Sequence, residues 1–339
     1  MNNSQIKLIG ELRDQVDTEL NVIINARDMP LYRLMSYHMG WVDPQGHSNP
    51  AIGRSRDHGV LCLMAFRASV GNLNTALPAA AAVELVYNFC QIHDDVQSGN
   101  PRRDNRDAVW WIWGPAQAIN AGDGMHALAR LALFRLMDQG VPPETISKAL
   151  QILDEASLRT CEGRFLDLEA QERIDTNVAS YIKMASSKTG ALVSCAMGLG
   201  ALIASKDEAL TKTMLSSGTQ IGLAMQLRSD LRELWDDDPS HPSPSLEMMN
   251  KKKLFPVVYA LEKATVKEKR KMGEIYYKRV LDSEDISRLR EIIVELGAKQ
   301  ECENLIKSYR NEALTILDIP NVSAQCKSNI GDFVDLMLK

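Results

Sequence analysis

Apolar residues return at three- and four-residue spacings along most of the chain. QIKLIGELRDQVDTELNVII near the start and ISRLREIIVELGAKQECENLIKSYRNEAL near the end each carry one apolar stripe, as helices with one buried face do. TALPAAAAVELVYNFCQIHDDV is apolar on nearly every side until its aspartates, and TKTMLSSGTQIGLAMQLRSDLRELW is almost as apolar. Both are expected at the centre of the molecule. No stretch alternates convincingly with period two, and Val/Ile/Thr clusters are few, so no sheet is expected. The breaks are short: DPQGHSNP, SGNPRRD, GVPPE and DDDPSHPSPS. With no low-complexity linker and no internal repeat, the pattern predicts one all-α domain, a helical bundle over residues 1–339.

The longest apolar run, Ala191 to Ala204, is interrupted by Ser194, Gly198 and Gly200. It falls short of the ~20 residues that span a bilayer, so a buried helix and no membrane span are expected. The N-terminal MNNSQIKLIGELRDQVDTEL is charged and amphipathic, without the apolar centre of a signal peptide. The 339 residues are 45% hydrophobic and 24% charged, ample for a sizeable core. A net charge of -5 excludes a general nucleic-acid or anionic-membrane surface. Six scattered cysteines without a CxxC pair indicate reduced thiols in the cytoplasm and no structural zinc.

The candidate chemistry lies in CQIHDDVQSGNPRRD, residues 90–104. Asp94 and Asp95 end an apolar helix, and Ser98 stands one turn after Asp94 on the same face. Two carboxylates there suit Mg²⁺, which takes oxygen ligands and keeps waters and substrate phosphates. Arg102 and Arg103 follow, and guanidinium forks match phosphate oxygens. An isolated DD or RRD is ordinary at a solvated surface. Here a second apolar helix also ends in acid, with Asp230 and Glu233 at i, i+3. Two such helices facing each other would hold metals between them and a diphosphate beneath. Lys188 and the run Lys251–Lys252–Lys253 could add positive charge, although the run taken alone reads as a solvated face. His38, His93, Trp110, Trp111 and Trp113 read as packing residues.

AAAVELVYNFCQIHDDVQ, RRD, VWWIWGPAQAINAGDGMHALA, CEGRFLD, KTGAL, QLRSDLRELW and KKKLFPVVYALE, in that order, resemble the trans-type polyprenyl diphosphate synthase family. The resemblance implies an isoprenoid-synthase-type bundle with a central apolar pocket, a homodimer, and Mg²⁺ as cofactor. Two aspartate-rich motifs would bind an allylic prenyl diphosphate through the metal. On this chain they give Asp94, Asp95, Asp230 and Glu233 as catalytic and metal-binding residues. Arg102, Arg103, Lys188, Gln226 and Arg54 become diphosphate binders, and Tyr87, Phe89 and Cys90 the pocket wall. Departure of the diphosphate needs charge neutralisation, and the cation left behind needs a dry cavity.

Several positions depart from the family pattern. DDxxD reads DDVQS, the second motif reads SDLRE with Ser229 first, and EGQ reads EGR with Arg164. A Gly-Lys pair is missing from the loop 239–245. GKxxR, which holds isopentenyl diphosphate, reads GRSRD: Arg54 stands in for lysine, and Asp57 replaces arginine unless Arg56 compensates. A carboxylate facing a diphosphate repels it, a loss of several kcal/mol for a close charge pair. The main expectation is therefore a Mg²⁺-dependent terpene synthase, ionising a C15 or C20 allylic diphosphate without isopentenyl diphosphate. The alternatives are a prenyltransferase or prenyl diphosphate synthase with an altered acceptor, or a non-catalytic subunit in a hetero-oligomer with an active prenyl synthase.

Overall fold

A computed structural model describes residues 3–49, 55–68, 72–173, 175–205, 207–235, 248, 250–278 and 281–339. These residues are helical almost throughout, the all-α class expected from periodicity. The N-terminal part comprises α1 (Asn3–Ile24), α2 (Pro30–His38), α3 (Asp57–Phe66) and α4 (Leu77–Gln97). After them come α5 (Val109–Trp113), α6 (Pro115–Phe134), α7 (Pro143–Glu172), α8 (Val178–Ala185), α9 (Ala191–Ala204) and α10 (Glu208–Trp235). The C-terminal part comprises α11 (Phe255–Lys263), α12 (Val266–Tyr276), α13 (Ser283–Glu295), α14 (Ala298–Ile316) and α15 (Ala324–Met337).

Local sequence sets many of these boundaries. Proline opens α2, α4, α6, α7 and α11, where its missing N–H would have had no helical partner. Capping boxes start α8, α12 and α13. Helix α4 is central as its composition predicts, with Ala79 to Val86 buried continuously. It packs on α6, while α9 lies between α3 and α10.

Helices α8 and α9 join through a π-helical segment, Ser186–Gly190, into one run, Val178–Ala204. That run is long and apolar enough to cross a membrane, but 67% of its most apolar window is buried within the bundle. Its packing is that of a core helix. Close approach of backbones is built in: a Cβ on Gly200 would lie 2.1 Å from the carbonyl oxygen of Cys62 on α3.

One feature runs against the expected absence of strands. Arg102–Arg103 pairs antiparallel with Arg106–Asp107. The turn residues Asp104 and Asn105 have φ of 50° and 61°, the left-handed pair that a tight hairpin requires. Two-residue strands are too short to show an alternation in sequence. The ribbon is pinned to α2: the Tyr37 hydroxyl donates to Asp107 O at 2.8 Å, and Arg106 lies over the Tyr37 ring at 4.0 Å.

Replacing Gly200 with alanine should destabilise the protein by about 3 kcal/mol, the upper part of the range for overpacking a core. Alanine at Gly10, where nothing lies within 4 Å, should instead stabilise by about 0.5–1 kcal/mol through helix propensity. Urea-unfolding midpoints of the two variants check both signs.

Candidate active site

The cavity between the central helices has a volume of about 670 Å³. Asp94 on α4 and Asp230 on α10 both line it, so the two acidic helix ends do converge on one space. Around them the chain places cations on several elements: Arg103 from the ribbon, Arg164 from α7, Lys188 from the π-helical segment and Lys252 from the stretch before α11.

The ribbon explains the different fates of its two arginines. Successive side chains of a strand point to opposite sides. Arg103 turns inward, where Nε meets Asp95 Oδ2 at 2.9 Å and Nη2 meets Asp95 Oδ1 at 2.8 Å, a bidentate fork. It also donates to Gln91 Oε1. Arg102 points out, 57% exposed and 3.6 Å from Asp107, and does not line the cavity. Arg102 as a diphosphate binder is therefore corrected. Asp95, 2% exposed, is absent from the cavity wall and works beneath it, fixing Arg103.

Asp94 has a different partner. Arg164 Nη1 donates to Asp94 Oδ1 at 2.6 Å, while Arg103 stands 4.0 Å from Oδ2. Burial alone would raise the Asp94 pKa, but Arg164, Lys188, Lys252 and Arg103 together hold it well below the usual carboxylate range. The neighbouring Asp167, on the same α7 face, accepts from Lys188 Nζ at 2.6 Å and lies 3.5 Å from Lys252 Nζ. Lys188 reaches this point because Gly163 lets the π-helical segment press on α7: a Cβ there would stand 2.2 Å from Lys188 N.

Asp230 is enclosed. It accepts from the Tyr181 hydroxyl at 2.6 Å, Phe255 N at 2.7 Å and Gln226 Nε2 at 2.8 Å. Burial still pushes its carboxyl up to about 6. Gln226 also accepts from Thr189, so it serves as a link between α10 and the π-helical segment while lining the cavity. Glu233 lines the cavity as well.

Helices α3 and α4 supply another part of the wall, with Asp57, His58, Tyr87 and Cys90. Burial pushes the His58 imidazole down to about 4, and burial pushes the Tyr87 phenol up to about 12, so both are neutral near pH 7. Their rings stack at 4.3 Å, and His58 Nδ1 is buried without a hydrogen-bond partner. Burial, and then Glu84, raise the Asp57 carboxyl. Arg56 does not compensate. Its backbone is left-handed, with φ 50°, and its guanidinium is buried against Asp17 and Met39 O at 2.6 and 2.8 Å. Arg54 and the loop 239–245 lie outside the described residues.

Two further expectations are corrected. Phe89 does not line the cavity; it turns toward α6, with ring centroids 4.7 Å from His93 and 5.2 Å from His126. Lys252 and Lys253 are buried rather than solvated. Asn250, which donates to Ser98 O at 2.9 Å, ties their stretch to the end of α4. The sequence pattern pointed to no role for Asp167, while Lys252, one of the run that could add positive charge, does line the cavity. The EGRFLD spacing offered a signal for the first, since Arg164 and Asp167 sit at i, i+3 on one helix face.

The profile of the Polyprenyl synthetase family matches residues 53–293. The chain belongs to that family. A geranylgeranyl diphosphate synthase of Mycobacterium tuberculosis is 33% identical over 255 residues, covering 75% of this chain and 72% of that protein. A geranylfarnesyl diphosphate synthase of Aeropyrum pernix is 29% identical over 266 residues, covering 78% and 82%. The crystal structure of a polyprenyl synthetase from Streptomyces coelicolor A3(2) superposes with a TM-score of 0.89 at 27% identity, covering 98% of this chain and 99% of that one.

The polyprenyl synthetase family generally uses Mg²⁺. The residues here, as arranged, do not fit a metal cluster. Among the described residues no three His, Cys, Asp or Glu side chains gather as metal ligands. Asp230 directs both oxygens at protein donors, and Asp94 Oδ1 is held by a guanidinium. A cation ligated by Asp94 would sit against Arg164, and like charges at about 4 Å repel by about 4 kcal/mol per unit of charge at an effective dielectric of about 20.

Substituting Asp95 with alanine should remove the bidentate partner of Arg103 and leave it only Gln91 and the more distant Asp94, at a cost of about 3 kcal/mol. Thermal unfolding of Asp95→Ala beside Asp107→Ala, which removes only the exposed partner of Arg102, measures the contrast.

Proposed function

We propose that this chain binds an allylic prenyl diphosphate and transfers its prenyl group to an acceptor that carries no diphosphate. The chain's membership of the polyprenyl synthetase family and its prenyl diphosphate synthase relatives support the donor. The observation that carries the acceptor is the α3–α4 wall. Where isopentenyl diphosphate would need cations, the described residues of this wall offer a carboxyl, a neutral imidazole and a phenol, and Arg56 is turned into the core. The unpartnered His58 Nδ1 suits a hydroxyl or amine on the acceptor better than a phosphate.

A second reading rests on the same wall. With no acceptor seated there, the allylic cation would react with its own double bonds or with water, as in a terpene synthase. The donor chain length in either case is proposed as C15 or C20, in keeping with a cavity of about 670 Å³. We read residues 1–339 as one helical domain, supported by the near-complete overlap with the Streptomyces structure, and propose that it acts in the cytoplasm. Homodimer formation is supported by exposed Leu158, Phe165 and Leu168 along α7. A hetero-oligomer with an active prenyl synthase would use the same stripe.

The decisive assay incubates the protein with geranyl, farnesyl or geranylgeranyl diphosphate, with and without isopentenyl diphosphate. Diphosphate release and mass spectrometry of organic extracts are the readouts. Release that depends on an added hydroxyl or amine acceptor is expected. A hydrocarbon or alcohol formed without acceptor would favour the terpene synthase reading, and a longer prenyl diphosphate would overturn both. Asp57→Arg, which restores the cation of the GKxxR pattern, should create measurable calorimetric binding of isopentenyl diphosphate. Unchanged titrations would mean that this wall is not what excludes it.

A further inference from the structure

The disagreement between the family's metal and this chain's residues has a specific centre, Arg164. In the related motif the position is glutamine, a neutral side chain; here it is a permanent cation. Three independent features concern it. The first-motif carboxylate one turn past Asp94 is replaced by Ser98, removing a ligand that a metal would use. Arg164 bonds the remaining Asp94 directly at 2.6 Å, with only 11% of its side chain exposed. Its Nε is buried and has no hydrogen-bond partner, although the side chain lines the cavity. A buried N–H left without an acceptor costs about 1–3 kcal/mol or more when charged, so the protein alone leaves this guanidinium incompletely satisfied.

We propose that Arg164 takes the place of the divalent metal, so that the cavity holds the diphosphate of a prenyl ligand through fixed side-chain cations and without Mg²⁺. The guanidinium has five N–H donors, of which Asp94 takes one. Asp94 then orients Arg164 rather than ligating a metal. Lys188 stands ready with a second set of donors: its ammonium has three protons and donates to Asp167 at 2.6 Å. Arg103 is locked by Asp95 on the same side of α4. Each cation is thus held in position before the ligand arrives, which lowers the ordering cost of binding. The inference rests on the proposed prenyl diphosphate ligand and adds how its charged end is held.

The test is calorimetric titration of the full chain with inorganic diphosphate and with farnesyl S-thiolodiphosphate, a non-ionising analogue. Each is titrated in excess EDTA and in excess Mg²⁺, with circular dichroism confirming the fold of every variant. For the wild type, both ligands should bind in EDTA, and Mg²⁺ should change the affinity less than about threefold. Arg164→Gln, which installs the family's neutral side chain, should lose about tenfold or more in EDTA and recover when Mg²⁺ is added. Arg164→Lys should retain part of the EDTA binding. Wild-type binding that requires Mg²⁺ would overturn the inference and leave the proposed function standing. Equal binding by wild type and Arg164→Gln in EDTA would overturn the assignment to Arg164. No binding of the prenyl analogue by folded protein in either condition would overturn the inference and the proposed function together.

Discussion

Asp94 and Asp95 are adjacent carboxylates at the buried end of a helix, and a buried charge persists only when it is paired. That constraint organises the cavity. Asp95 is met by the inward arginine of a two-residue ribbon, and the ribbon is held by Tyr37 on α2. Asp94 is met by Arg164, one turn before Asp167, which in turn draws Lys188 from the π-helical segment and Lys252 from the stretch before α11. Five separate parts of the chain are thereby fixed relative to one another by charge. Replacing any one partner leaves a desolvated ion, so the cavity's cations and carboxylates are constrained as a set.

The helical architecture was legible because it rests on periodicity and on boundary residues. An apolar α4 had to be central, and the prolines and capping boxes had to open helices. The two acidic helix ends, with Arg103 and Lys188, were legible as one site because their residue types suit a diphosphate. What escaped was direction. Arg102 and Arg103 are identical in composition and neighbours in sequence, and only the alternation of a ribbon too short to detect separates them. Phe89 and Cys90 differ by one helical step of about 100°, which sends one toward α6 and the other into the cavity. The lysine run looked solvated because like charges in sequence usually are. Lys252 is buried because Asp167, distant in sequence, waits for it.

The departures from the family pattern form a consistent set when charge is followed through them. On the α3–α4 side, the described wall residues Asp57, His58 and Tyr87 bring no positive charge, and Arg56 is spent on Asp17. On the α7 side a cation has been gained at Arg164. Positive charge is therefore concentrated around Asp94 and Asp167, where the donor diphosphate is proposed to sit. The buried Arg164 persists because Asp94 pairs with it, since an unpaired buried charge costs several kcal/mol.

A fixed guanidinium also differs chemically from the metal it would displace. It carries one unit of charge rather than two and acts through directed hydrogen bonds, so it neutralises a leaving diphosphate less completely. It is, however, present in every molecule and needs no loading. Weaker pull on the leaving group raises the demand on the other reactant. An allylic diphosphate held in this way benefits from a nucleophile positioned beside it, and the α3–α4 wall offers hydrogen-bonding groups to position one. Full ionisation without an acceptor would have to rely on the same limited cationic charge. The electrostatics at Arg164 and the neutrality of His58 and Tyr87 thus point the same way, toward transfer to a seated acceptor rather than release of a free cation.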